Sequence, residues 1–246
     1  MFCDKERGDV IVTEEYSFST AVETAMPLGV GVVGVEMDGE GMIPEKLEEM
    51  MRGWKGSRRP HVLYTVPSGQ NPTGATMGTQ RRREIYEVAR RWDLMILEDE
   101  PYYFLQMPGY VKGQRETREE SVEGFLEGLI PSLLSMDVDG RVVRMDSFSK
   151  VVVPGSRVGW ITGSEQIVER YIRHAEVCNQ GPSGFSQVIL HKLLDESWGH
   201  EGYFRWLMHL RNEYTRRRNV MMDACEEFLP KDVVSWQAPK AGMFVS

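Results

Sequence analysis

The chain has 246 residues, 41% hydrophobic and 27% charged, with a formal net charge of -8 at pH 7. This is a soluble globular composition, long enough for one large domain or one and a half ordinary ones, and its acidic balance argues against a nucleic-acid surface. Three scattered cysteines (Cys3, Cys178, Cys225) and five histidines with no H-x-x-x-H pair argue against a disulfide framework or a metal site, and the expected compartment is reducing and cytoplasmic.

From the start, "MFCDKERGDV" is too charged for a signal peptide, and no apolar run approaches membrane-spanning length. "GDVIVTEE" predicts a buried strand, "AVETAMPLGV" a short helix broken by Pro27, and "GVVGVEMD" another strand. The string "GVGVVG" at 29–34 has dinucleotide-loop spacing, but valines rather than a helix follow the glycines, so a Rossmann loop is rejected. "IPEKLEEMMRGW" is a helix opened by Pro44, with Leu47, Met50, Met51 and Trp54 at helical spacing. "HVLYTV" is a strand, "PSGQNPTGAT" a turn-rich loop, and "TQRRREIYEVARRWD" a helix with Ile85, Val88, Ala89 and Trp92 on one face. "DLMILEDEPYY" is a strand ending in three acids, and "GRVVRMDSFSK" and "RVGWITG" are two more. "SEQIVERYIRHAEVC" is a helix N-capped by Ser164, with Ile167, Val168, Tyr171, Ile172 and Ala175 along one side. The polar stretch 105–140 reads as a surface insertion, and the triplets Arg81–Arg83 and Arg216–Arg218 as solvated helix faces.

Strands that alternate with helices as near-continuous apolar runs predict an α/β fold, a mainly parallel sheet sandwiched by helices. Such sheets bind ligands beyond the carboxyl ends of their strands. That rule selects "GQNPTG", "EDEPYY" and "SFSK". A lysine in a partly closed site can lose its proton and condense with an aldehyde, which makes Lys150 the residue of interest over the ordinary reading of a solvated lysine. Ser147, Ser149 and Arg157 beside it suit a phosphate. Asp99 could pair with a protonated ring nitrogen, as pyridoxal phosphate (PLP) chemistry requires, or belong to an acidic loop facing water. Tyr102 and Asn71 could contact a phenolic oxygen, although Asn71 also fits plain turn chemistry.

"YTVPSGQNPTG", "ILEDEPYYFL" and "SFSKVVVPGSRVGW" resemble the large domain of the class I/II, fold-type I PLP-dependent aminotransferases. "TEEYSFSTAVETAMPLG" and the polar insertion resemble the fungal members of the aromatic amino acid, 2-aminoadipate and kynurenine branch. The resemblance implies that Lys150 holds PLP covalently and moves the α proton, that Asp99 pairs with the pyridine nitrogen, and that Asn71 and Tyr102 contact the phenolic oxygen. It also implies that Ser147 and Arg157 bind the phosphate and that Phe18 stacks on the ring; the ordinary alternative for Phe18 is a core residue. The expected organisation is a partial PLP-binding large domain over 1–200, with a linking helix and the beginning of a C-terminal small domain over 201–246. The resemblance also implies truncation at both ends, with part of the phosphate cradle before Met1 and the arginine for the substrate carboxylate beyond Ser246. The expected function is transamination between an aromatic amino acid or 2-aminoadipate and a 2-oxo acid, in a homodimer. Two alternatives stay open: a catalytically impaired fragment that folds or dimerises without turnover, and a PLP-fold regulator.

Overall fold

The computed structural model describes residues 2–114 and 120–246. A 3-10 turn spans Lys5–Arg7, capped by the Asp4 carboxylate. β1 (Val10–Glu14) and β2 (Gly31–Val35) are joined by α1 (Ser19–Ala25) and a 3-10 turn at which Pro27 stops the helix. The hairpin β3 (Met37–Asp38) and β4 (Gly41–Met42) leads into α2 (Pro44–Arg52), with Pro44 in its first turn. Next come β5 (Val62–Thr65), α3 (Thr79–Arg91) and β6 (Met95–Asp99). Two short helices, α4 (Val122–Glu127) and α5 (Leu133–Met136), precede β7 (Val142–Ser147) and β8 (Gly159–Thr162). α6 (Glu165–Cys178), α7 (Gly184–His191) and a π-helical turn over Lys192–Trp198 lead into the long α8 (Gly199–Phe228).

The sheet has the order β2-β1-β5-β6-β7-β8, and only the β7–β8 pair is antiparallel. Growth goes one way from β1 to β2 and the other way from β1 to β5, so the strand order reverses between β1 and β5. In open sheets such a switch point lies beside the ligand crevice, at the carboxyl ends of the strands. One face of the sheet is filled by Val12, Leu63, Ile96 and Val142 from four strands, against Leu47 and Met51 of α2 and Ile85, Val88 and Ala89 of α3. The helical residues follow the expected spacing, which keeps each apolar stripe on the sheet.

Three expectations need correction. The arginine triplets are not wholly solvated, because Arg82 is fully buried and Arg218 is buried too. Consecutive helical residues fan around the axis at 3.6 per turn, so a triplet cannot share one face. The stretch 105–140 is more than a surface insertion: Phe125 and Leu133 within it are fully buried, while residues 115–119 lie outside the described residues. Ser164 occupies the N-cap position of α6 without a side-chain capping bond, and on the expected apolar side Ile167 is buried whereas Tyr171 and Ile172 are exposed.

Arg82 explains how β6 can end in acids inside the protein. Its Nη1 donates to Glu100 Oε1 at 2.9 Å and lies 3.5 Å from Glu98 Oε1, its Nη2 donates to Ser68 Oγ at 2.8 Å, and its Nε to the Met77 carbonyl at 3.1 Å. Glu98 also accepts the backbone N–H groups of Leu133 and Leu134 at 2.7 and 3.0 Å. Burial and the neighbouring Glu100 push the Glu98 carboxyl up to about 7, against the pull of those two N–H groups and Arg82. Removing one partner of a buried ion pair strands the other charges. Arg82→Met is therefore expected to destabilise the chain by about 3–5 kcal/mol in urea unfolding, far more than loss of an exposed pair such as Arg52–Glu48, at about 0.5 kcal/mol or less.

Candidate active site

Side chains alternate across a strand. With Glu98 and Glu100 turned toward Arg82, Asp99 points to the opposite face of the sheet, at the carboxyl end of β6. There Tyr64 of β5 donates its hydroxyl to Asp99 Oδ2 at 2.6 Å. Burial pushes the Asp99 carboxyl up to about 6, the Tyr64 hydrogen bond opposes this, and the charges of Glu100 and Asp146 add to it.

Lys150 follows β7 after a tight turn in which the Ser147 hydroxyl oxygen accepts the Ser149 N–H at 3.1 Å. Its Nζ lies 6.0 Å from the centre of the Tyr102 ring. Arg157 closes a 3-10 turn, Pro154–Ser156, in the left-handed region with φ 52°, an uncommon conformation for a residue other than glycine. The turn folds the guanidinium back, so that Nη1 donates to Ser149 Oγ at 3.1 Å and to the Pro154 carbonyl at 3.0 Å. Burial and the charges of Asp99 and Tyr214 push the Tyr102 phenol up to about 12, while a hydrogen bond with the Asn71 side chain acts the other way. Phe18 stands at the start of α1, partly exposed.

All seven residues that the resemblance assigns to the cofactor (Phe18, Asn71, Asp99, Tyr102, Ser147, Lys150 and Arg157) line one cavity of about 340 Å³, together with Ser149, also expected near the phosphate, and Phe244. A larger groove of about 780 Å³ runs between the β3–β4 hairpin and the C-terminal tail, but it gathers none of the seven. Two contributors were missed. Tyr64 could have been found by parity, since it sits opposite Leu97 in the parallel β5–β6 register and shares the face of Asp99. Phe244 carries no sequence signal. It reaches the cavity because the tail is bonded to the segment after β6, where Met107 N–H donates to the Lys240 carbonyl at 2.7 Å and Gly242 N–H to the Leu105 carbonyl at 3.2 Å, and passes close to Gly69 of the 67–76 loop. A Cβ on Gly69, which has φ 57°, would stand 2.7 Å from the Ala241 backbone, so this approach requires glycine. Phe244 then packs edge-on to Tyr102, with 5.8 Å between ring centres.

The whole chain, residues 1–246, matches the family model described as aminotransferase class I and II. An aromatic amino acid aminotransferase of Schizosaccharomyces pombe is 48% identical over 242 residues, covering 97% of this chain and 51% of that protein. The bovine mitochondrial kynurenine/alpha-aminoadipate aminotransferase is 38% identical over 245 residues, covering 97% of this chain and 53% of its own length. The crystal structure of the aminotransferase Aro8 of Candida albicans superposes with a TM-score of 0.93 at 51% identity, over 97% of this chain and 50% of that one. The chain belongs to the class I and II aminotransferases, a family whose fold implies pyridoxal phosphate. It spans about half the length of the curated relatives it matches.

The donor set suits that cofactor: one cavity offers an amine, a carboxylate, an amide and a phenol, and a guanidinium with serine hydroxyls. A carboxyl whose pKa is raised by folding holds its proton more tightly in the folded chain, so stability present at low pH is lost as pH rises from about 4 to about 6. In the cofactor-free chain, Asp99→Asn is expected to be more stable than the parent at pH 8 by about 2–3 kcal/mol, with the difference vanishing below pH ~4. Paired urea titrations at both pH values check this, and a parent that is the more stable at pH 8 would refute it.

Proposed function

We propose that the protein is an aminotransferase that uses PLP to move an amino group between an aromatic amino acid or 2-aminoadipate and a 2-oxo acid. The observation that carries the reading is the convergence of Lys150 and Arg157, both from the β7–β8 connection, with Asp99 from the end of β6 on one cavity at the carboxyl ends of the strands. Relatives named for aromatic and for kynurenine/alpha-aminoadipate substrates support the substrate class.

When bound, PLP supplies an electron sink for the substrate's α carbon. Lys150 is the attachment point, and its Nζ is the base that takes the α proton. Asp99 holds its charge against the cofactor's ring nitrogen. Asn71 and Tyr102 donate to the phenolic oxygen, and Phe18 covers the ring. Ser147 and Arg157 bind the phosphate, the guanidinium being already aimed by its bonds to Ser149 and Pro154. In this reading residues 1–200 are part of the cofactor-binding large domain, and 201–246 the linking helix and the beginning of a small domain. The protein acts as a homodimer.

Incubation of the chain with PLP followed by borohydride is expected to fix the cofactor on the peptide that contains Lys150, seen by mass spectrometry. Lys150→Ala is expected to fix none; covalent trapping in that variant would overturn the assignment. Arg157→Ala, which removes a charge-assisted phosphate contact, is expected to weaken PLP affinity on the order of ten- to a hundredfold in a fluorescence titration.

A further inference from the structure

We propose that Tyr64 is a positioning residue for Asp99: its phenol ties down one carboxylate oxygen and so fixes the direction and the charge that Asp99 presents to the cavity. The consequence for the cofactor rests on the PLP reading above; the contact itself does not.

Tyr64 and Asp99 lie on neighbouring parallel strands, with Tyr64 paired to Leu97 and Asp99 two residues further on. The reach of a phenol spans that offset. The 2.6 Å separation falls within the short range of hydroxyl donors to ionised carboxylates. The ring is buried with Val66, Tyr102 and Leu105, and Leu97 and Met145 pack against the cluster, so the hydroxyl is not free to turn to water. Burial and the charge of Asp99 push the Tyr64 phenol far up, and it stays a donor throughout the range in which the enzyme would work.

The charged surroundings make this donor matter. The charges of Glu14 on β1, of the neighbouring Glu100 and of Asp146 on β7 act on Asp99 from the other face of the sheet, while Tyr102 and Lys150 share its cavity. Burial and the acids Glu100 and Asp146 favour the neutral carboxyl, and the Tyr64 hydrogen bond favours the ionised one. With Oδ2 engaged by the phenol, a protonated ring nitrogen has Oδ1 to bond. A neutral Asp99 would offer it no charge.

Tyr64 could instead be only a core ring. Tyr64→Phe keeps the ring and removes the hydroxyl, so it separates the two readings. Carboxyl-carbon NMR of the aspartates in the cofactor-free chain is expected to show the Asp99 midpoint about one pH unit higher in Tyr64→Phe, a tenfold change in proton affinity. At pH 8 the variant is expected to bind PLP about tenfold more weakly than the parent. An unchanged midpoint overturns the proposal, as does an unchanged affinity beside a parent that binds PLP. A parent that takes up no PLP overturns the function proposed above, while the Asp99 midpoint still decides the role of Tyr64.

Discussion

Placing three consecutive carboxyls at the end of one strand, Glu98 and Glu100 buried and Asp99 half-buried, is the constraint on which the rest of the structure turns. An isolated buried carboxylate is prohibitively costly, so each must find a partner or a proton. Strand alternation divides the problem. Glu98 and Glu100 fall on the side of α3, where Arg82 serves both and is itself tied to Ser68 and Met77. Asp99 falls on the other side with a phenol and open space. The docking of α3 is thereby fixed by charge as well as by Ile85, Val88 and Ala89. The floor of the cavity is rigid because its two flanking acids are locked into the core.

The parallel sheet then does the gathering. Residues that are distant in sequence (Phe18 beyond β1, Asn71 beyond β5, Asp99 closing β6, Lys150 just past β7) meet because parallel strands present their carboxyl ends at one edge. The tail contributes Phe244 only because Gly69 lets the backbone at Ala241 and Gly242 come within contact. Two glycines without side chains, Gly69 and Gly242, thus help to place an aromatic ring beside Tyr102.

The fold and the seven cavity residues were legible because each signal was local. A run of apolar residues ends, and a residue with unusual chemistry follows within a few positions. What was missed is what locality cannot carry. Arg82 looks like its neighbours Arg81 and Arg83; only helix phase, read against the acids of β6, sets it apart, and those acids are sixteen or so residues away. Tyr64 sits in a strand of otherwise buried side chains, and its hydrogen-bond partner comes from a neighbour across the sheet. Phe125 and Leu133 hide in a polar stretch, where composition averaged over the segment conceals two residues that belong to the interior. α6 failed in the opposite direction: its periodicity is real, yet Tyr171, Ile172 and Val177 remain exposed in the described chain. Amphipathicity announces a face to be covered without saying by what.

The sorting of charge around the cavity restricts what can occupy it. Arg157, with Ser147 and Ser149, lies in the segment between β7 and β8, while Asp99 ends β6. A simple phosphate ester would satisfy the arginine and offer nothing to the Asp99 carboxylate. A cationic amine alone would satisfy Asp99 and leave the guanidinium and Lys150 facing each other across empty space. In the reading proposed above, one molecule brings an anionic group for Arg157, a protonated or donating nitrogen for Asp99 and an electrophilic carbon for the Lys150 amine. A phosphorylated pyridine aldehyde carries all three on a single rigid ring.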